Sequence, residues 1–284
     1  MDPAAAGHFT TMQLRGGRVQ GRDLHLARLV AASRELYGVA PDLEALREGV
    51  RRALADSGME AGDCTLRIRF GADPVDGPGP DCGPGTDGGG VVDCGSGYSR
   101  DPLPWKDIAA AAAPAGSGAT RLRLGVDIEP PRHPAAAPLR LCTHVGVRDC
   151  AGIKHLALGR QLEARRAARE AGFDDALLVT GDGRVAEGTF WNIVFLHGRV
   201  LVWPDGPALP GVTQQLLQAA FAGRDGLSVG PVPVAEIRRF TAAWALNSTG
   251  IQDIASIDGH RFPGDAAVGA DLRVRLAGLP GLPF

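Results

Sequence analysis

Polar and apolar positions alternate along the opening of the chain. His8 to Leu14 (HFTTMQL) and Gly17 to Gly21 predict a β-hairpin turned at Gly16-Gly17. From Leu24 to Tyr37 the period lengthens, and apolar residues at 24, 26, 29, 30 and 37 fit an amphipathic helix ending at Gly38. A second helix is expected from about Pro41, with Asp42 near its start, Leu43, Leu46, Val50 and Leu54 at helical spacing, and Gly58 as its stop. Cys64 to Phe70 (CTLRIRF) returns to strand-like alternation.

Residues 73–104 break this pattern. The stretch is dominated by Gly, Pro and Asp and buries too little side chain to offset its ordering entropy, so a mobile surface insertion is expected. Structure is expected to resume at Trp105 and in a strand from Thr120 to Ile128, and the proline-rich run EPPRHPAAAP (129–138) predicts a linker. Beyond it, Leu139 to Val147 predicts a strand leading to Lys154, and Leu156 to Ala171 a helix closed by Gly172. Short strands follow at Ala176–Thr180, Val185–Glu187, Asn192–Leu196 and Val200–Trp203, with turns at Gly181-Asp182-Gly183 and His197-Gly198. A helix over Val212–Phe221 and strands at Trp244–Asn247 and Ile254–Ile257 complete the pattern. The expected fold is α+β, with a small N-terminal α/β domain (1–128), the linker, and a larger β-rich C-terminal domain (139–284).

Composition narrows the function classes. The chain has 284 residues, 44% of them apolar, and a net charge of -2, which argues against disorder and offers no electrostatic case for nucleic acid or an anionic membrane. Apolar runs are too short for a membrane span, and Met1 to Gly7 lacks the pattern of a secretory signal, so a cytoplasmic protein is expected. Five cysteines occur without a CxxC pair, so no structural metal is expected. Cys82 and Cys94 flank a glycine-rich stretch and are close enough in sequence to bridge, although a cytoplasmic setting favours free thiols. Of the 30 basic residues only Lys106 and Lys154 are lysines, which narrows the search for an amine nucleophile.

Two local patterns carry chemistry. Lys154 lies between a strand and a helix rather than on a long solvated face. Gly211-Val212-Thr213 opens a helix after Pro210, where backbone N–H groups and a threonine hydroxyl form an anion cradle.

Four motifs stand in a telling order: HLARL at 25–29, Lys154, EGTFWN at 187–192 and LPGVT at 209–213, with LNSTG at 246–250 as a weaker fifth. Over Gly7 to Gly259 the chain thereby resembles the class IV (fold type IV) pyridoxal phosphate (PLP) enzymes, which include branched-chain and D-amino-acid aminotransferases and aminodeoxychorismate lyase. The resemblance implies that Lys154 holds the cofactor as a Schiff base and moves a proton, and that Glu187 partners the ring nitrogen. It further implies that Arg28 binds the phosphate, with Val212, Thr213, Asn247 and Ser248 completing its cradle. Arg148, six residues before Lys154, is a candidate for a substrate carboxylate and equally fits a solvated strand-end arginine. His25 is expected to seat the helix that presents Arg28, and His155 to shape the turn after the lysine. Phe190 and Trp191 are expected either to pack within the domain or to wall the cofactor.

The chain also departs from the family. Relatives carry an F-E-T segment preceded by a glycine- and aromatic-rich run; here that segment reads Phe9-Thr10-Thr11, and the upstream aromatics are missing. The tyrosine that many aminotransferases place five residues after the lysine is Gly159. The leading expectation is an aminotransferase passing an amino group from an amino acid or amine to a 2-oxo acid or carbonyl acceptor, with a homodimer implied by analogy. A pyruvate-eliminating lyase is the alternative, favoured by KHL at 154–156 and by Asn247-Ser248, and a non-catalytic relative is a third reading.

Overall fold

The computed structural model describes residues 3–72, 106–107, 121–223 and 226–284; the 73–104 stretch, with Cys82 and Cys94, lies outside them. A short helix α1 (Pro3–Ala6) precedes the hairpin of β1 (His8–Arg15) and β2 (Arg18–Gln20). Both turn residues, Gly16 and Gly17, have positive φ (53° and 70°), the conformation that lets a two-residue turn follow the twist of its strands. Helix α2 (Arg22–Tyr37) ends at Gly38, again with positive φ, and α3 (Leu43–Asp56) is capped by Asp42, whose carboxylate accepts the N–H groups of Glu44 and Ala45. Strands β3 (Cys64–Ala72), β4 (Lys106–Asp107) and β5 (Leu122–Glu129) follow.

These strands form one antiparallel sheet whose pleat sorts its residues cleanly. Met12, Leu14, Leu66, Ile68, Phe70 and Leu124 pack against Leu26 and Leu29 of α2 and Leu46, Val50 and Leu54 of α3. Register pairs Thr11 with Arg67, Gln13 with Thr65 and Arg67 with Asp127, so Phe9, Thr11, Gln13, Arg67, Arg69, Asp127 and Glu129 share the opposite face. That face is laced by ion pairs: Arg69 meets Asp127 through two bonds (2.7 and 2.9 Å), and Arg67 approaches Glu129 at 3.6 Å.

The second half builds a larger, mixed sheet. Its elements are β6 (Leu139–Val145), α4 (Gly159–Glu170), β7 (Asp175–Val179), β8 (Val185–Gly188), β9 (Asn192–His197), β10 (Val200–Pro204), α5 (Val212–Phe221), β11 (Leu227–Gly230), a 3-10 turn (Val234–Arg239), β12 (Ala242–Asn247), β13 (Gly250–Ile257), β14 (His260–Arg261) and α6 (Ala266–Gly278). The strand order is β11-β10-β9-β12-β13-β6-β7-β8, with β14 beside β13. Phe195, Phe240 and Ile193 centre one core; Trp203, Trp244, Leu217 and Leu272 form another with α5 and α6. The final strand, β15 (Gly281–Pro283), crosses back and pairs with β2 at the edge of the first sheet. Gln20 supports that return by donating to the carbonyls of Leu276 (2.7 Å) and Leu279 (2.9 Å). No helix among the described residues is long and apolar enough to cross a membrane.

The α+β expectation holds, with local corrections. Helix α4 begins at Gly159, not Leu156; the residues before it form a turn in which the Leu156 N–H donates to the Gly7 carbonyl at 2.8 Å. Strands β12 and β13 begin earlier than expected, at Ala242 and Gly250. Strands β11, β14 and β15 and helix α6 were not anticipated at all; α6 buries only Gly269 and Leu272, too little for a helical apolar period.

His8 gives the fold a pH dependence. Its Nε2 meets Ser33 Oγ at 2.8 Å, its ring stacks on Phe70, and burial pushes its pKa down to about 3. The folded state keeps this imidazole neutral, while the unfolded chain protonates it near 6.5, so its contribution is complete above pH 6.5 and is lost as pH falls toward 3. By pH 4.5 the loss amounts to about 3 kcal/mol. The variant His8→Phe should therefore show a smaller drop in urea midpoint between pH 7 and pH 4.5 than the native chain; equal drops would refute the assignment.

Candidate active site

A cleft of about 220 Å³ lies between the two sheets, and Lys154 enters it from the segment joining β6 to α4. The backbone there is stitched to the first sheet: Phe9 N–H donates to the Lys154 carbonyl and Leu156 N–H to the Gly7 carbonyl, both at 2.8 Å. His155 shapes the turn through a 2.7 Å contact between its Nε2 and the Asp149 carbonyl. Lys154 Nζ sits 4.8 Å from the centre of the Phe9 ring. Burial, reinforced by the positive charges of Arg148, Arg28 and Arg67 and opposed by Glu187, holds the amine well below the usual lysine range.

Glu187 reaches the same cleft from the end of β8. Its Oε1 is buried without a hydrogen-bond partner, Arg148 Nη1 stands off at 3.7 Å, and Asn192 Nδ2 is 3.5 Å from Oε2. Burial, only partly countered by Arg148, pushes the carboxyl up to about 7. The turn that carries it depends on glycines. A Cβ at Gly188 would lie 2.0 Å from the Trp191 ring, and one at Gly211 would lie 1.9 Å from Asn192 Oδ1. Asp175, at the start of β7 and 4% exposed, anchors this turn by accepting from Thr189 Oγ1 (2.7 Å), Trp191 Nε1 (2.9 Å) and Arg165 Nη2 (2.6 Å). Arg165 in turn lies over the Phe190 ring at 4.5 Å. Phe190 and Trp191 thus both pack within the fold and line the cleft.

At the other end stands Arg28. Its Nη2 donates to Thr10 Oγ1 at 2.5 Å, and Thr10 contacts His25 Nδ1 at 2.6 Å. Arg28 Nη2 also lies 3.3 Å from His25 Nδ1, and a guanidinium can only donate, so Nδ1 is the accepting nitrogen of a neutral imidazole, consistent with a pKa held well below 6.5 by burial. Among the described residues Arg28 Nε has no partner and no carboxylate pairs with this side chain, and burial pulls its pKa down to about 10. Opposite it, Val212 and Thr213 open α5 behind Gly211, which supplies no side-chain cap. Thr213 Oγ1 donates to the Asn247 carbonyl at 2.7 Å, while Asn247 Oδ1 accepts from Thr249 N–H and Oγ1. Asn247 therefore shapes its turn, and Ser248 lines the cleft beside it. Arg148 is buried rather than solvated, with Nη2 donating to the Ile153 carbonyl at 2.7 Å.

Residues 105–257 match the family model for amino-transferase class IV. The chain belongs to that family. A relative named "Probable branched-chain-amino-acid aminotransferase" from Rickettsia bellii (strain RML369-C) is 33% identical over 101 residues, a match spanning only 34% of this chain and 35% of that relative. A fold IV-transaminase from Curtobacterium pusillum superposes with a TM-score of 0.69 at 22% identity, covering 96% of this chain and 87% of that one. The 4-amino-4-deoxychorismate lyase from Pseudomonas aeruginosa gives 0.65 at 24% identity, covering 96% and 90%. These likenesses identify fold type IV.

The cofactor of class IV enzymes is pyridoxal 5′-phosphate, and the cleft fits it. A depressed amine, a buried carboxylate with an open oxygen and an arginine lacking a carboxylate partner line one cavity at the same time. Motifs pointed to Lys154, Arg28 and Glu187, whereas Thr10, Asp175, Gln13, Arg67 and Arg132 were not anticipated as parts of the site. Their contributions arise only when the sheets face each other.

Asp175 provides a test of how the Glu187 turn is held. In Asp175→Ala the Thr189, Trp191, Arg165 and Ala176 donors lose their acceptor, and a stability loss of about 3 kcal/mol is expected in urea denaturation, with Trp191 fluorescence shifted in the folded state. A change under about 0.5 kcal/mol, the range of neutral surface substitutions, would show that the hub is dispensable.

Proposed function

We propose that the protein is a PLP-dependent aminotransferase that moves an amino group between an amino acid or amine and a 2-oxo acid or carbonyl acceptor. The observation that carries this reading is the pairing of a depressed lysine amine with an open buried carboxylate across one cleft. When bound, the cofactor supplies an electron-accepting ring that lowers the cost of removing a proton from the substrate Cα.

Lys154 Nζ, its pKa held well below the usual lysine range, would hold the cofactor through its aldehyde and, once released by a substrate amine, would act as base and then acid toward the substrate Cα proton. Glu187 would partner the ring nitrogen, whose positive charge would favour the ionised carboxylate. Arg148 stands behind Glu187 as its counter-charge; the same side chain remains a candidate for a substrate carboxylate. Arg28, oriented by Thr10, would hold the phosphate together with the Val212 and Thr213 N–H groups at the opening turn of α5, the Thr213 hydroxyl being committed to the Asn247 carbonyl, while Asn247 and Ser248 form the adjoining wall. A homodimer with the cleft near its interface accompanies this reading by analogy with the class.

A pyruvate-eliminating lyase would use the same lysine and carboxylate, and Lys154-His155-Leu156 with Asn247-Ser248 favours it as the second reading. Pyruvate released without an oxo-acid acceptor would identify it.

The native chain reconstituted with PLP should show a visible absorption band that Lys154→Ala lacks and that an amine substrate bleaches. Arg28→Lys should retain the band while weakening cofactor affinity by about tenfold or more, because an ammonium cannot reproduce the guanidinium fork. A native chain without any lysine-dependent band would refute the enzyme reading and leave a non-catalytic relative.

A further inference from the structure

The proposed reaction gives no task to Gln13. This residue lies on the cleft-facing side of β1 and forms part of the wall between the cleft and a second cavity of about 500 Å³, which is bounded by the hairpin, the 247–251 turn and α6. Its Oε1 accepts the Arg132 backbone N–H at 3.0 Å and Thr65 Oγ1 at 3.1 Å. A backbone N–H can only donate, so the oxygen end of the amide must face Arg132, and Nε2 is fixed on the other side. The linker is held from its far side as well, since the Arg132 carbonyl accepts Arg15 Nη2 at 2.7 Å. Rotating the amide would break this clamp.

Nε2, with two hydrogens, is buried and has no acceptor among the described residues. A group in that state is costly unless something else completes it, and Gln13 borders both of these cavities. The surroundings select its charge: Arg28 and Arg148 line the same cleft, where Glu187 is the one carboxylate among the described lining residues, which favours an anion over a neutral oxygen.

We propose that Gln13 is a ligand-binding residue whose Nε2 donates to an anionic oxygen held in the cleft, namely a carboxylate oxygen of an amino-acid substrate. The cofactor phosphate shares this oxyanion chemistry and is the other source to be distinguished. The proposal rests on the PLP reading above, and the experiment separates the two.

Gln13→Glu keeps the oxygen that serves Arg132 and Thr65 and exchanges only the donor end for an acceptor. Gln13→Met removes the amide at similar length, and serves should the glutamate variant not fold. Holoprotein is titrated with D- and L-alanine, D- and L-glutamate, and (R)- and (S)-1-phenylethylamine, which lacks a carboxylate, following the visible band. Cofactor dissociation is measured in parallel. For the glutamate variant, half-saturation by amino acids should rise about tenfold or more, with 1-phenylethylamine and cofactor affinity unchanged; the methionine variant should show a smaller rise of the same selectivity. Weakened cofactor binding with unchanged amino-acid response would keep the oxyanion contact and assign it to phosphate. Unchanged binding of all ligands, equal weakening for amines with and without a carboxylate, or a native holoprotein indifferent to every amino acid would overturn the proposal. Absence of the band itself would instead mark failure of the PLP reading.

Discussion

Two backbone hydrogen bonds hold the candidate site together. Phe9 and Leu156 donate to Lys154 and Gly7 respectively, joining the first strand of the antiparallel sheet to the segment before α4. The lysine stem is therefore fixed by main chain from both halves of the molecule and does not rely on its own side-chain packing. The same stitch sets Phe9 beside Nζ and turns the polar face of β1 toward the mixed sheet. Without it, Arg67 and Gln13 would belong to an ordinary charged sheet surface.

Electrostatics in the cleft then follow from unequal pairing. Arg165 has Asp175 and Arg69 has Asp127, but among the described residues Arg28 has only the hydroxyl of Thr10 and the ring of His25. Burial, aided by positive charge left over in this way, lowers the lysine, while burial raises Glu187. A dianion at Arg28 and a cation at Glu187 would relieve both strains together, and a phosphate-bearing pyridinium offers that combination in a single ligand. Thr10 stands where relatives carry glutamate, so this chain gives Arg28 a neutral partner and leaves its full charge to an incoming phosphate.

Much of this was legible from sequence because it depends on local rules. The period of Leu43, Leu46, Val50 and Leu54, the Asp42 cap and the Gly16-Gly17 turn are each decided within a few residues. The EGTFWN and LPGVT runs were legible for a related reason: Gly188 must clear Trp191 and Gly211 must clear Asn192, which ties residue identity to backbone path. Asp175 was illegible, since an acidic residue at a strand start ordinarily faces water, and its donors lie 10 to 16 residues away. Helix α6 escaped notice because small residues and arginines conceal its contacts, which are made by backbone proximity and by two buried positions.

The return of β15 to β2 bears on how the protein is made. Arg18 and Gly281 meet across 263 positions, so the hairpin leaves the ribosome long before its edge partner exists. Until residues 281–283 emerge, β2 offers unpaired main-chain groups to any passing strand, the situation in which nascent chains associate wrongly. Completion of the first sheet therefore waits on a segment made long after the strands it closes.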